Sequence, residues 1–151
     1  MSIDVTAETH IARPIDQVAA YVMDPAHDPL WIGGISEARI LTDASIGLGA
    51  RVQRVAHFLG KRIDYTNEVT EFDPPNRLVM RAIAGPFPMV VHYQFQQAGD
   101  GTHVRVRNQG STGGFYRFAD PLMGRMVRRR VTGDLKTLKR LLESAGDGAA
   151  G

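Results

Sequence analysis

The sequence predicts an α+β fold: a curved antiparallel sheet of about seven strands wrapped around one long C-terminal helix, with two short helices after the first strand. Three observations carry that expectation. Tight-turn signals cut residues 49–109 into five strand-length segments. Folding those segments about their turns puts the apolar residues of each on one common side. Residues 122–144 then carry an apolar stripe of helical period, long enough to cover such a face.

Taken in order, Asp4–Ile11 reads as the first strand, and Pro14 opens a short helix with Ile15, Val18, Ala19 and Val22 on one side. A further helical turn is expected around Ala26–Ile32, then a strand at Glu37–Thr42. Gly60-Lys61, Asp73-Pro-Pro-Asn76, Gly85-Pro-Phe-Pro88 and Gly99-Asp-Gly101 punctuate the meander that follows. About Gly60-Lys61, the expected pairs are Phe58 with Ile63, Ala56 with Tyr65, Arg54 with Asn67 and Val52 with Val69. The later turns set Val69 opposite Met80, Asn67 opposite Ala82, Met80 opposite Tyr93, Val91 opposite Asn108 and Phe95 opposite Val104. The reverse face carries His57 opposite Asp64, Gln53 opposite Glu68, Glu68 opposite Arg81, and Arg105 and Arg107, a wet surface with cross-strand charge pairs.

The last helix takes Asp120 as its N-cap, with Pro121 at the first helical position. Met123, Val127, Val131, Leu135, Leu138 and Leu142 form its stripe. Arg125, Arg128, Arg129, Lys136, Lys139 and Arg140 take the opposite arc, which reads as a solvated face. Arg130 sits at the edge of the stripe and Asp134 inside it, one turn later, where they are placed to pair. No aromatics are interleaved with this basic run, as they usually are in a nucleic-acid arm.

Length fits one domain over residues 1–145, with 146–151 as a disordered tail. Sixteen acidic residues nearly balance eighteen basic ones, so a net charge of +2 gives no case for a polyanionic partner. The absence of cysteine excludes disulfides, thiolate metal sites and a cysteine nucleophile. The first ten residues lack the pattern of a signal peptide, and no segment has the roughly 18 apolar residues of a membrane span. A cytoplasmic protein without integral membrane association, monomer or homodimer, is expected. His57, His92 and His103 fall on different strands of the outer face, so no metal site is expected. Gly110-Ser-Thr-Gly-Gly114 lacks the lysine of a phosphate-binding loop and reads as a flexible linker. No serine stands in a nucleophile elbow, and no cofactor is implied.

Across nearly the whole chain the sequence resembles the helix-grip superfamily of START domains, pollen-allergen-like proteins and polyketide cyclases/dehydrases. The residues that carry the likeness are Ile11-Ala-Arg-Pro-Ile-Asp-Gln-Val18 leading to Asp24 and Trp31, Gly47-Leu-Gly-Ala-Arg-Val52, Gly60-Lys-Arg62, Glu68-Val-Thr-Glu-Phe-Asp-Pro-Pro75, Gly101-Thr102, and Asp134 to Glu143. The resemblance is nearest to the bacterial polyketide cyclase/dehydrase and lipid-transport type. It implies a cavity between sheet and long helix that takes a hydrophobic small molecule, and a superfamily that mixes enzymes with carriers.

The expected inner face carries five polar residues: Arg54, Tyr65, Asn67, Tyr93 and Asn108. A buried arginine must be paired or wetted, so Arg54 opposite Asn67, with Asp134 as a third member, is either a structural pair or a ligand site. As a site, Arg54 polarises a carbonyl while Tyr65 or Tyr93 relays a proton. Met80, Asn67, Asn108, Met123 and Asp134 are further ligand contacts, with Trp31 at the mouth and Phe115, Tyr116 and Phe118 as its other lip. Two functions stay open: a cyclase or dehydrase-like enzyme, and a non-catalytic carrier or sensor of a lipid-like ligand.

Overall fold

The computed structural model describes residues 2–42, 45–58, 60–85, 88–111 and 120–150. Strand β1 (Ser2–Ile11) leads into α1 (Ile15–Val22), a 3-10 turn (Pro25–His27) and α2 (Asp28–Trp31). Six strands follow: β2 (Ile35–Ile40), β3 (Arg51–Phe58), β4 (Lys61–Asp73), β5 (Arg77–Ala84), β6 (Met89–Ala98) and β7 (Gly101–Ser111). Helix α3 spans Asp120–Ala150. The seven strands form one antiparallel sheet in the order β1-β7-β6-β5-β4-β3-β2.

Local chemistry explains the early elements. Proline at position 14 precedes α1 as its N-cap residue. The Asp24 side chain caps the 3-10 turn by accepting from Ala26 N–H at 3.0 Å. Arg13, just past β1, donates to the backbone carbonyls of Leu142 and Glu143, tying the end of that strand to α3. Lys139 reaches the His10 carbonyl at 2.5 Å and Glu143 at 2.9 Å, closing the same seam. The Gly101-Thr102 pair works here too. A Cβ on Gly101 would stand 2.5 Å from the Ile11 carbonyl oxygen, and the buried Thr102 hydroxyl donates to the Arg13 carbonyl at 2.8 Å.

The core divides along α3. Leu135, Leu138 and Leu142 are fully packed against Ile11, Val18, Phe95 and Val104. One to two turns earlier, Val127 and Val131 are only half-buried and border empty space. Arg125, Arg128, Arg129, Lys136 and Arg140 are exposed, as a solvated arc should be.

The strand pairings correct the expected register at two turns. Pairing across β3 and β4 is Phe58 with Lys61, Ala56 with Ile63, Arg54 with Tyr65 and Val52 with Asn67. The turn is centred one residue earlier than Gly60-Lys61, with Gly60 supplying a left-handed φ of 76°. Across β5 and β6, Met80 lies opposite Val91 and Leu78 opposite Tyr93. Each shift moves the pairing by two positions, an even number, so every side chain keeps its expected face. On the outer face His57 therefore opposes Arg62 and Gln53 opposes Thr66, while Glu68 pairs with Arg51 at 3.5 Å. Val69 with Met80, Asn67 with Ala82, Glu68 with Arg81, Val91 with Asn108 and Phe95 with Val104 pair as expected.

Helix α3 is longer than the expected 122–144: it starts at Asp120 and continues through 146–150, where a disordered tail was expected. The alanines of that stretch are good helix formers, and each glycine there opposes the helix by only about 1 kcal/mol. Gly110 and Ser111 belong to β7 and not to a linker, while 112–119 lie outside the described residues.

Candidate functional site

Between the sheet and the first half of α3 lies a cavity of about 250 Å³. Small residues in its sheet wall, Ala56 on β3 and Ala82 on β5, leave the room. Its walls are mostly apolar, and into it come Trp31, Arg54, Tyr65, Asn67, Met80, Tyr93, Asn108 and Asp134. The structure thus gathers at one cavity every nominated residue whose side chain it describes. Phe118, with Phe115 and Tyr116, lies outside the described residues, as does the side chain of Met123.

On the sheet wall Arg54 is buried, and its partner is Asp28, not Asn67 or Asp134. Nε of Arg54 donates to Asp28 Oδ2 at 2.9 Å, and Nη2 stands 2.8 Å from the same oxygen in an ion pair. Nη2 also reaches the Tyr93 hydroxyl at 3.4 Å. Asp28 itself is 1% exposed and sits behind Arg54, outside the cavity lining. Burial pushes the Asp28 carboxyl above its ordinary value, against the opposing attraction of Arg54. Burial would lower Arg54, but the nearby Tyr93 and Asp28 hold it well above its ordinary value, so it stays charged. Burial also raises the Tyr93 phenol, which therefore keeps its proton at neutral pH. Because Tyr93 accepts from Arg54, that proton is free to be donated elsewhere. Trp31 meets the Tyr93 ring edge-on at 6.3 Å and 69°, and its buried indole N–H has no hydrogen-bond partner among the described residues.

The α3 wall, shared with an outer groove, is built differently. Asp134 Oδ1 accepts from Gly33 N–H at 2.9 Å, joining α3 to the segment after α2. Burial pushes Asp134 up to about 6, while the Gly33 bond and the Arg130 charge pull it down. The expected Arg130–Asp134 pair does not close. Asp134 is engaged by Gly33, and the Arg130 guanidinium lies over Gly33 and Gly34 instead.

Sequence reasoning missed Asp28, Arg130 and the two glycines as parts of this site. A signal for Asp28 existed: a charged residue on an apolar strand face demands a carboxylate, and Asp28 lies three residues before the nominated Trp31. Among the described residues no group of three or more metal-ligating side chains is assembled. His92 bonds Gln109 at 2.8 Å and His103 bonds Glu8 at 3.1 Å on the outer face.

A seven-stranded antiparallel sheet gripping a long C-terminal helix, with a cavity between them, is the helix-grip fold. Within that class the chain belongs to the polyketide cyclase/dehydrase and lipid transport family, which matches residues 2–143. Three solved structures share the fold. TTHA0849 from Thermus thermophilus superposes with a TM-score of 0.81 at 23% identity, over 94% of this chain and 98% of that one. A START superfamily protein from Mycobacterium smegmatis gives 0.72 at 16% identity, covering 97% and 98%. The di-domain ARO/CYC StfQ from the steffimycin biosynthetic pathway gives 0.78 at 14% identity, over 97% of this chain and 53% of that longer one. No curated protein matches the chain in sequence. Among the described residues no helix is long and apolar enough to cross a membrane.

Proposed function

We propose that the protein binds a hydrophobic small molecule, polyketide, aromatic or lipid-like, in the cavity between the sheet and α3. The observation that carries this is an apolar chamber whose sheet wall presents fixed donors. Arg54 is held in place from behind by Asp28, and the Tyr93 hydroxyl stands beside it. A ligand carbonyl or phenol oxygen placed there meets preorganised hydrogen bonds while its apolar body fills the chamber. Tyr65, Asn67, Met80 and Asn108 complete the wall.

A cyclase or dehydrase-like activity is the second reading, favoured by one observation. Asp134 lines the cavity with a carboxyl raised to about 6, a value suited to exchanging a proton near neutral pH. In that reading Arg54 and Tyr93 stabilise an enolate oxygen and Tyr65 or Asp134 moves the proton. StfQ, named for its part in a biosynthetic pathway, supports this reading by likeness of fold. The thinness of the acid–base set favours the first, because the Arg54 charge is already matched by Asp28.

Native mass spectrometry of protein purified from its own host tests the proposal. A retained organic mass, lost on denaturation and displaced by hydrophobic competitors, is expected. Protein that carries no such mass and binds no hydrophobic dye would refute it.

A further inference from the structure

On the outer side of the cavity, α2 and α3 form a groove that includes Leu30, Met126, Arg129 and Thr137. Groove and cavity share Trp31, Gly33, Arg130 and Asp134. The wall between them is therefore thin, and its movable part is the Arg130 side chain. A Cβ on Gly33 would stand 2.8 Å from Arg130 Nη1 and 3.2 Å from Asp134 Oδ1. Gly34, at φ 94°, would bring a Cβ to 3.6 Å from the same nitrogen. Bare backbone is what lets a guanidinium lie across this throat. Leu30, 59% exposed, gives the groove an apolar lip. Among the described residues Arg130 has no carboxylate at ion-pair distance, although Asp134 is one turn away on its own helix.

We propose that Arg130 recognises the carboxylate of an amphipathic ligand at this throat, with the ligand's apolar chain running into the cavity. The inference rests on the binding reading above and narrows it to hydrophobic acids. A guanidinium presents a planar fork that matches a carboxylate with two parallel hydrogen bonds. A single negative charge suits the place better than a phosphate, because Asp134 faces the same throat. The charged and titratable groups here are Arg129, Arg130 and Asp134 on α3. The packed segment after α2 contributes Gly33 and Gly34, and the neighbouring sheet residue is the titratable His57, whose backbone N–H donates to the Gly34 carbonyl at 2.7 Å and which also lines the cavity. Asp134 adds a consequence. Ionised, it repels the ligand carboxylate; protonated, it leaves Arg130 to the ligand alone. Binding of the acid therefore weakens as pH rises through about 6.

Decanoic acid and decanol, equal in chain length and different in charge, are the probes. Their affinities are measured by calorimetry and by the emission of Trp31, the one tryptophan of the chain, which lines the cavity. The wild type should bind the acid about 10- to 100-fold more tightly than the alcohol, the strength of a hydrogen bond to a charged group. Arg130→Gln should abolish that preference, lowering the affinity for the acid to that for the alcohol. Asp134→Asn should keep the preference but remove its decline with pH. Equal affinity for acid and alcohol in the wild type, or a preference untouched by R130Q, overturns the inference and leaves the cavity reading standing. Binding of neither probe, with no uptake of a hydrophobic dye, overturns both.

Discussion

The sheet wall and the α3 wall of the cavity are built from the same pair of residue types and use them in opposite ways. On the sheet wall Arg54 and Asp28 are bound at 2.8 Å and almost wholly shielded from water. At the throat Arg130 and Asp134 stand one helical turn apart without closing into a pair, because Gly33 N–H holds the carboxylate. The difference follows from solvation. A guanidinium buried in a sheet must be neutralised by the fold itself, since an unpaired buried charge costs several kcal/mol. A guanidinium at an opening is hydrated, and the fold can leave its donors to an incoming group. The first arginine is thus fixed before any ligand arrives, and the second is left adjustable.

The comparison is broken most severely by leaving one member of the closed pair alone. Arg54→Met strands the Asp28 carboxylate and should destabilise the protein by about 3–5 kcal/mol, read by chemical denaturation. Adding Asp28→Asn to it should recover most of that loss. An Arg54→Met protein as stable as the wild type would reduce the pair to a minor contact.

The throat should respond to pH instead. Asp134 binds its proton more tightly folded than unfolded, with a value of about 6 against 3.8. Its contribution therefore favours the folded state most at low pH and declines as pH rises from roughly 4 to 6, then levels off. Asp28 is shifted in the same direction. Denaturation at a series of pH values should show that decline shrink in Asp134→Asn.

A smaller effect is expected from Gly33→Ala, whose new methyl meets the flexible end of Arg130 and the Asp134 oxygen. Stability should change by about 1 kcal/mol or less, while the preference for acid over alcohol falls. Loss of stability without loss of preference would show that the glycine serves the backbone and not Arg130.

The outer arc of α3 should matter least. Replacing Arg128, Lys136 and Arg140 by glutamine should alter stability by about 0–1 kcal/mol per site and leave ligand binding intact. Lys139 is set apart from them, since it bonds the His10 carbonyl and Glu143. Tight nucleic-acid binding by the wild type, lost in the triple variant, would contradict the reading of this arc as a solvated face.

What the sequence determined by itself was the set of elements and the face on which each residue lies. Strand periodicity has a step of two, so the registers at Gly60 and at 85–88 slipped by two positions without turning any side chain over. Val52, Arg54, Asn67, Val69, Tyr93 and Asn108 were placed on the inner face by alternation alone, and Leu135, Leu138 and Leu142 were placed against it by a helical period. Contacts between elements followed no such period. Asp28 reaches Arg54 across 26 residues and Asp134 reaches Gly33 across 101. Both depend on how α2 and α3 cross the sheet, a geometry set by the packing of many side chains together. Alternation showed that Arg54 needed a partner, but only that packing decided it would be Asp28 and left Arg130 at the throat.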